Sequence, residues 1–362
     1  MPRNADAEVW LRFVLTPLSC RLRLKLLREF GSPEAVLAAS VNQLLDWLEP
    51  QQAVALAEAG GRSEWSELSQ HLDWLAEPDN RLLTLADAAY PAALLDLPDA
   101  PAALYVKGDP AWLCRPALAL VGSRQATPQG LENAEIFAAD LSQSGYTVVS
   151  GMAAGIDAAA HAGGLAGTGS TVAVVGTGLD RVYPAANRQL AHRIVERGAM
   201  VSEFPLGYPP KPEHFPRRNR LIAALGLGCL VVEATLGSGS LITARQAAEL
   251  GREVFAIPGS IHSPQSKGCH RLIKDGAKLV ESAQDIHDEL AVPQLPGLKP
   301  AAPRAKSGED PMLVQMGWDP VGIDTLSTRT GVGADVLSAT LLTLELDGLV
   351  SVLPGGRYQR MG

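Results

Sequence analysis

The sequence predicts an α/β protein whose central part is a doubly wound, mostly parallel sheet. Six short runs rich in Val and Ala each end at glycine or a small polar residue, and each leads into a helical stretch. They lie at residues 117–121, 146–149, 171–175, 199–201, 229–232 and 253–257. Apolar strands that alternate with helices indicate a parallel sheet covered on both faces. Because such sheets place their chemistry at the carboxyl ends of the strands, the small residues there form the candidate site.

Residues 1–80, before this pattern, predict a small helical domain. They contain four of the six tryptophans, and 12 acidic against 7 basic side chains concentrate the acidity of the chain here. A leucine-rich stretch at 22–30 closes at Gly31, as the C-terminus of a helix does. Ser32-Pro33 then has the form of a helix N-cap followed by proline in the first turn.

Residues 81–290 contain the strand and helix pattern and form the predicted Rossmann-like core. Residues 291–311 follow, with five prolines beside Gly, Ala and Lys. This composition is typical of an extended linker. We therefore expect the last unit, residues 312–362, to be compact by itself.

That last unit predicts a winged helix. Helical stretches end at Gly331 and Gly348, and residues 349–360 follow as a hairpin around Pro-Gly-Gly. The candidate recognition stretch, residues 333–348, contains three acidic residues and no basic one. A helix that reads duplex DNA presents cations to phosphates and bases, so we interpret this unit as a module for protein interaction or self-association.

Composition excludes several classes of protein. The chain is 46% hydrophobic and 19% charged, which is enough for a sizeable core, and its net charge of −8 excludes nucleic-acid binding by bulk charge but not by a local patch. The four cysteines lie far apart, and no histidine spacing suits a metal, so neither a zinc site nor a disulfide scaffold is expected. No apolar run suits a signal peptide or a bilayer span. We expect a cytoplasmic protein without a membrane partner.

A nucleotide-dependent oxidoreductase is also disfavoured. Gly176-Thr177-Gly178 follows a predicted strand, but Arg181 stands where the dinucleotide fingerprint needs its third glycine. Neither a P-loop motif nor the Gly-x-Ser-x-Gly of serine hydrolases occurs. We expect no cofactor, so the sheet serves another purpose.

The first strand end carries candidate anion-binding groups. Gly122 allows the backbone to approach a ligand closely, and Ser123 and the following N–H groups can donate to an anion. Arg124 can bind a phosphate with two parallel hydrogen bonds. A strand-end turn with an incidental arginine explains this short string about as well.

A second cluster follows two later strands. Ser238, Gly239 and Ser240 lead into an apolar helical run, which makes an N-terminal anion site with Ser240 as the expected N-cap. Simple helix capping is the alternative. Lys267 and Arg271 add basic groups beside the last strand end, where solvated charges on a helix face are an adequate explanation.

The segment 211–220 is unusual in an acidic chain. It contains four cations, an amide and an aromatic: Lys211, Phe215, Arg217, Arg218, Asn219 and Arg220. Arginine binds phosphate and stacks on bases, and an aromatic ring offers a face to an unpaired base. The alternative is that the arginines are buried in ion pairs with structural carboxylates such as Glu233.

Asp157 and His161 form an i, i+4 pair on a predicted helix. A carboxylate that orients a general base has this spacing, but no nucleophile lies at a defined distance along the sequence. Such pairs are more often structural, and we interpret this one as holding a loop.

With these residues in view, the chain resembles the DNA-processing protein A (DprA, Smf) family over nearly its whole length. The family's motifs occur in order: Val121-Gly122-Ser123-Arg124, Ser150-Gly151-Met152 with Asp157 and His161, Phe215-Pro216-Arg217-Arg218-Asn219-Arg220, Ser238-Gly239-Ser240 and Pro258-Gly259-Ser260. The resemblance implies a sterile-alpha-motif-like helical domain, a Rossmann-like core and a winged helix. It also implies a homodimer that binds single-stranded DNA during natural transformation, protects it and loads the RecA recombinase onto it, without catalysis.

Carried over by position, the resemblance implies that Arg124 is a main DNA contact and that Phe215 lies in a base-binding pocket. It implies the same site for a further set: Arg218, Asn219, Arg220, Ser238, Gly239 and Ser240. The sequence departs from the family pattern in two places. Lys211 is the sole candidate for the basic residue that members often have before Phe215, and His270 stands where members often carry Asn.

Two rival functions remain open on the sequence. An enzyme acting on a nucleotide, similar to phosphoribohydrolases, would use the same kind of sheet, with Asp157 or Glu233 as its acid–base group. A transcription regulator would bind duplex DNA through residues 312–362, which the acidic third helix disfavours.

Overall fold

The computed structural model describes residues 4–61, 65–290 and 310–361. The predicted linker, 291–311, lies almost wholly outside these ranges. Within the described residues, no helix has the length and apolar character needed to cross a membrane.

Helices fill the N-terminal part of the chain, as predicted. They are α1 (Asn4–Leu15), α2 (Cys20–Phe30), α3 (Pro33–Ala38), α4 (Val41–Leu44), α5 (Pro50–Gly61) and α6 (Ser66–Ala76). Gly31 ends α2 with φ +83°, and the Ser32 side chain accepts a hydrogen bond from the Ala35 N–H at the start of α3. Both cap predictions are therefore confirmed. Leucines 11, 26, 44 and 56 are fully buried and form the core of this bundle.

The central region is a nine-stranded sheet covered by helices on both faces. Its strands are β1 (Asn80–Thr84), β2 (Ala103–Gly108), β3 (Ala117–Val121), β4 (Thr147–Ser150), β5 (Thr171–Val174), β6 (Ala199–Ser202), β7 (Gly228–Val231), β8 (Glu253–Ala256) and β9 (Lys278–Leu279). Its helices are α7 (Pro128–Gln143), α8 (Ile156–Gly164), α9 (Arg188–Arg197), α10 (His214–Leu225), α11 (Ser240–Glu249), α12 (Lys267–Lys274) and α13 (Ala283–Leu290). Short 3-10 turns lie at Ala92–Asp96, Pro110–Cys114, Ala185–Asn187 and Pro264–Ser266.

The strand order is β1-β2-β6-β5-β4-β3-β7-β8-β9. All pairs from β6 to β9 are parallel, whereas β2 pairs antiparallel with both β1 and β6. The predicted mostly parallel α/β sheet is confirmed, and the six predicted strands match β3 to β8 within one residue at each end. The sequence prediction missed β1, β2 and β9, because no helical crossover marks the first two and the last is two residues long.

The order of the sheet reverses between β3 and β7, which lie side by side. β3 continues through β4, β5 and β6 on one side, and the later strands extend the other side. The loops that leave β3 and β7 therefore diverge, and a crevice opens at their carboxyl ends. Residues 122–124 and 233–240 begin at this point.

The C-terminal unit is a winged helix, as predicted. It consists of α14 (Pro311–Met316), β10 (Val321–Gly322), α15 (Ile323–Thr330), α16 (Ala334–Leu346), β11 (Val350–Leu353) and β12 (Arg357–Arg360). The last two strands form the hairpin, and β10 adds a third strand beside β12. Leu326, Leu337 and Leu341 are fully buried in its core.

Two buried histidines, His71 and His161, make the free energy of unfolding depend on pH. Burial lowers the pKa of His71 to about 4, and burial together with the charge of Arg218 lowers that of His161 to about 3. The Thr171 hydroxyl donates to the Val148 carbonyl, so His161 Nδ1–H is the donor in its 2.7 Å contact with that hydroxyl. Both rings are thus neutral in the folded chain at neutral pH.

Each histidine takes up a proton near pH 6.5 once the chain unfolds, so its stabilising contribution is complete above that pH and falls as the pH drops toward the folded pKa. We expect the free energy of unfolding, measured with urea, to fall by about 2 kcal/mol per histidine between pH 7.5 and pH 5. His71→Phe keeps a ring against Tyr105 and should remove the contribution of His71, which is about half of the combined fall. The exposed His262→Gln is the control, and an equal pH dependence in both variants would contradict the assignment.

Candidate functional site

The crevice between β3 and β7 holds a cavity of about 700 Å³. It brings together nine of the residues that the sequence predicted for the site: Gly122, Ser123, Arg124, Phe215, Arg218, Asn219, Ser238, Gly239 and Ser240. These come from three separate stretches of the chain, which the crossovers of the sheet place at one edge. The cavity lies at the carboxyl ends of the strands, where open α/β sheets bind ligands.

Glu233, just after β7, fixes the loop that carries Arg124. Its carbonyl accepts a hydrogen bond from the Ser123 N–H at 2.8 Å. Its carboxylate accepts from the N–H and the hydroxyl of Thr127 at 2.9 and 2.6 Å. A Cβ at Gly122 would lie 2.6 Å from Ile156 Cγ1, so only glycine fits where this loop passes α8. These contacts hold the loop from which Arg124 projects.

Arg124 is exposed, and its guanidinium lies over the ring of Phe215 at 5.2 Å from the centroid. Among the described residues, no carboxylate lies within ion-pair distance of it. The ring of Tyr183 lies 5.9 Å from that of Phe215, tilted by 38°. A cation and two aromatic faces thus share the mouth of the cavity, a combination that suits a phosphate next to a planar base.

The N-terminus of α11 forms the opposite wall. The prediction that Ser240 is its N-cap is wrong: Gly239, which has no side chain, holds that position, and the Ser238 hydroxyl accepts a hydrogen bond from the Ser240 N–H at 3.4 Å. Ser240 is the first helical residue instead, and its hydroxyl lies 2.7 Å from that of Ser238. The positive end of the helix dipole therefore faces the cavity, an arrangement that attracts anions.

Arg218 forms the floor of the cavity and is 4% exposed. Its Nη1 donates to the carbonyls of Gly151, at 2.5 Å, and Val174, and its Nε donates to Asn219 Oδ1 at 3.1 Å. Burial lowers the pKa of Arg218 to about 10. Arg218 thus lines the cavity while its Nη1 binds the backbone at the ends of β4 and β5.

Arg217 and Arg220 lie outside the cavity. Both pair with Glu203, whose side chain is 1% exposed; Arg217 Nε lies 3.2 Å from its Oε1, and Arg220 Nη2 contacts its Oε2. Arg220 also lies 3.4 Å from Asp99. The alternative of a buried arginine ion pair therefore applies to Arg220, with Glu203 in place of Glu233, whereas Arg217 pairs with the same carboxylate from an exposed position.

The remaining predicted cations are also outside the cavity. Lys267 donates to the carbonyl of Ile261, and Arg271 forms an exposed ion pair with Asp275 at 2.8 Å. Lys211 is exposed between Pro210 and Pro212, two residues that line the cavity, and so lies beside its mouth.

Of the two carboxylates considered as acid–base groups, Asp157 lines the cavity, whereas Glu233 holds the loop at Thr127. Burial raises the pKa of Asp157. The charge of Arg218 and a hydrogen bond from the Ala153 N–H lower it, but they offset the rise only in part. Burial likewise raises the pKa of Glu233, against its bonds from Thr127. His161 contacts Thr171 rather than Asp157. Among the described residues, no group of His, Cys, Asp and Glu side chains is arranged to hold a metal ion.

The sequence prediction missed several lining residues, of which five carry polar groups: Gln125, Tyr183, Thr235, Thr243 and Gln265. Tyr183 lies in the loop between β5 and α9, nine residues beyond the end of the strand. The rule that ligands bind at the carboxyl ends of strands applies to β5 as well, and would have pointed to this loop.

Comparisons with known proteins give one consistent family. A family model described as DNA recombination-mediator protein A matches residues 81–291, and one for the DprA winged helix domain matches residues 296–356. The chain belongs to the DprA/Smf family. Protein Smf of Escherichia coli (strain K12) is 40% identical to it over 377 residues, which cover 98% of this chain and 96% of that protein.

Two solved DprA structures are similar to this chain. DNA processing protein A from Streptococcus pneumoniae has a TM-score of 0.68 at 37% identity, covering 79% of this chain and 98% of its own. The protein from Helicobacter pylori, described for its single-stranded DNA binding mode, has a TM-score of 0.53 at 30% identity and covers 58% of this chain and 96% of its own. The resemblance found in the sequence motifs is therefore confirmed.

The role of Arg218 yields a prediction for stability. Arg218→Met removes the buried positive charge near Asp157 and leaves the carbonyls of Gly151 and Val174 without its donors, so we expect the free energy of unfolding to fall by about 3–5 kcal/mol. Arg181→Met, at an exposed arginine paired with Asp180, is the matched control and should cost about 1 kcal/mol or less. Equal costs for the two variants, measured by urea unfolding, would contradict the account.

Proposed function

We propose that this chain binds single-stranded DNA in the cavity between β3 and β7. The observation that carries the proposal is Arg124, exposed and without a carboxylate partner among the described residues, in a cavity that it shares with Phe215 and the N-terminus of α11. A phosphate fits between the guanidinium and the helix N-terminus, and the adjoining base stacks on Phe215.

A single strand suits this site better than a duplex does. The base faces available for stacking are those of unpaired nucleotides, because a duplex hides them between neighbouring base pairs. Phe215 and Tyr183 supply two faces for such stacking in the cavity that residues 238–240 also line. The family, and the printed description of the Helicobacter pylori structure, support the same ligand.

The proposal extends to the role of the family in natural transformation. The chain protects the incoming strand, loads the RecA recombinase onto it, and acts as a homodimer in the cytoplasm without catalysing a reaction on the DNA. Membership of the family supports this part, since relatives are named DNA processing protein A and the matching model a DNA recombination mediator.

The binding site is tested by two substitutions. In fluorescence anisotropy with labelled oligothymidylate, Arg124→Ala should weaken binding about 10-fold at low salt, and the slope of log affinity against log salt should fall by about 0.7, because one phosphate contact is lost. Phe215→Leu should weaken binding by a similar factor through lost stacking, with its slope unchanged.

Arg28→Ala removes an exposed cation of α2 and serves as the control for overall charge.

A labelled duplex of the same length should bind more weakly than the single strand. Wild-type affinity in Arg124→Ala, or affinity that does not respond to salt, would contradict the proposed site.

Recombinase loading has its own test. RecA hydrolyses ATP on single-stranded DNA only after a lag when a single-strand-binding protein coats that DNA. We expect this chain to shorten the lag and Arg124→Ala, which holds the strand poorly, to shorten it less. A full lag with wild-type chain that demonstrably binds the strand would contradict loading and leave binding intact.

A further inference from the structure

A second groove adjoins the cavity and has the chemistry of a phosphate site. It holds about 420 Å³ between α9, strands β2 and β6, and the loop of residues 179–185. Its cations are Lys107 on β2, Arg181 in the loop, and Arg188 on α9, and His192 lies one helical turn after Arg188. Its single lining carboxylate, Asp180, pairs with Arg181 at 2.9 Å.

Lys107 and Arg188 therefore supply uncompensated positive charge. Among the described residues, neither has a carboxylate within ion-pair distance. Arg188 is exposed and Lys107 is half-buried, in antiparallel register with Met200, so that both of these side chains stand on the face of the sheet that α9 covers. In a chain of net charge −8, two such cations over one groove favour an anionic ligand.

The floor of the groove is apolar. It consists of buried or half-buried side chains: Leu179, Val182, Ala191, Val195 and Met200. An apolar floor beneath a rim of cations suits a ligand that alternates flat, weakly polar groups with phosphates, which is the pattern of an unpaired nucleic-acid strand. A free phosphate would make no use of this floor.

The loop of residues 179–185 separates the two sites and belongs to both. Tyr183 lines the first cavity, whereas its neighbour Val182 lines the groove, and their Cα atoms are about 3.8 Å apart. A strand whose base stacks near Phe215 and Tyr183 needs to cross only this one loop to reach Arg188. Continuity with the proposed site thus identifies the occupant of the groove.

We propose that the groove of Lys107 and Arg188 binds the phosphates of a second segment of the same single strand, beyond the segment held at Arg124. This inference rests on the proposed function and lengthens its binding track. Short strands fill the first cavity alone, and longer ones gain affinity from the groove.

The test compares oligothymidylates of about 5 and about 15 nucleotides across a salt series. For Lys107→Ala/Arg188→Ala we expect the long strand to bind ~10-fold more weakly, with a salt slope lower by about 1.4, and the short strand to bind as it does to wild type. Arg188→Ala alone, at an exposed position, should show about half of the change in slope. Circular dichroism confirms the fold of each variant.

Arg21→Ala/Arg28→Ala removes two exposed cations of α2 and is the matched control. Unchanged affinity and slope for the long strand in the Lys107 and Arg188 variants, with Arg124→Ala still defective, would overturn the groove and leave the proposed function standing. If both double variants lose the same affinity for the long strand, the effect is one of overall charge, and the proposed role of the groove is also wrong. If wild type binds neither strand, both proposals fail together.

Discussion

The site depends on one buried guanidinium. Arg218, in the first half of α10, donates to the carbonyls of Gly151 and Val174, which follow or end the neighbouring strands β4 and β5. A Cβ at Gly151 would lie 2.5 Å from its Nη2, so the strand end must be glycine for the arginine to reach it. That contact ties α10, which carries Phe215 and Asn219 at the cavity, to the ends of both strands. A buried cation that satisfies backbone carbonyls is costly to remove, which makes this contact a firm anchor.

The chain separates cations that build the scaffold from cations that remain available to a ligand. Glu203 neutralises Arg217 and Arg220 and lies 3.7 Å from the Sγ of Cys20 on α2, so these residues connect the N-terminal helices to the core. Burial raises the pKa of the Cys20 thiol, which keeps it neutral within this charged cluster. Arg124 stays exposed because the hydrogen bonds of Glu233 hold its loop rather than its side chain. An acidic protein can thereby present strong local positive charge with few residues.

The fold was largely predictable, and the site only in part, for physical reasons. The six apolar strands are visible because burial on both faces leaves no polar positions in them, whereas β1 and β2 lack the helical crossover that identifies parallel strands. The three arginines of α10 look like one basic patch in sequence. On a helix, however, positions 217, 218 and 220 point in different directions, about 100° apart per residue, and only the fold shows which of them faces Glu203, the strand ends or the cavity. The first residue of α11 could not be predicted to within one position, and that position decides whether Ser240 or Gly239 is the N-cap.

A crystal structure of the chain with a short oligothymidylate tests the central claim most directly. We expect a phosphate within hydrogen-bond distance of the Arg124 guanidinium and beside the N-terminus of α11, and a base against the ring of Phe215. Arg218 should still donate to Gly151 and Val174, without contact to the DNA. A strand bound elsewhere with the cavity empty, or Arg218 turned from both carbonyls to bind a phosphate, would contradict it.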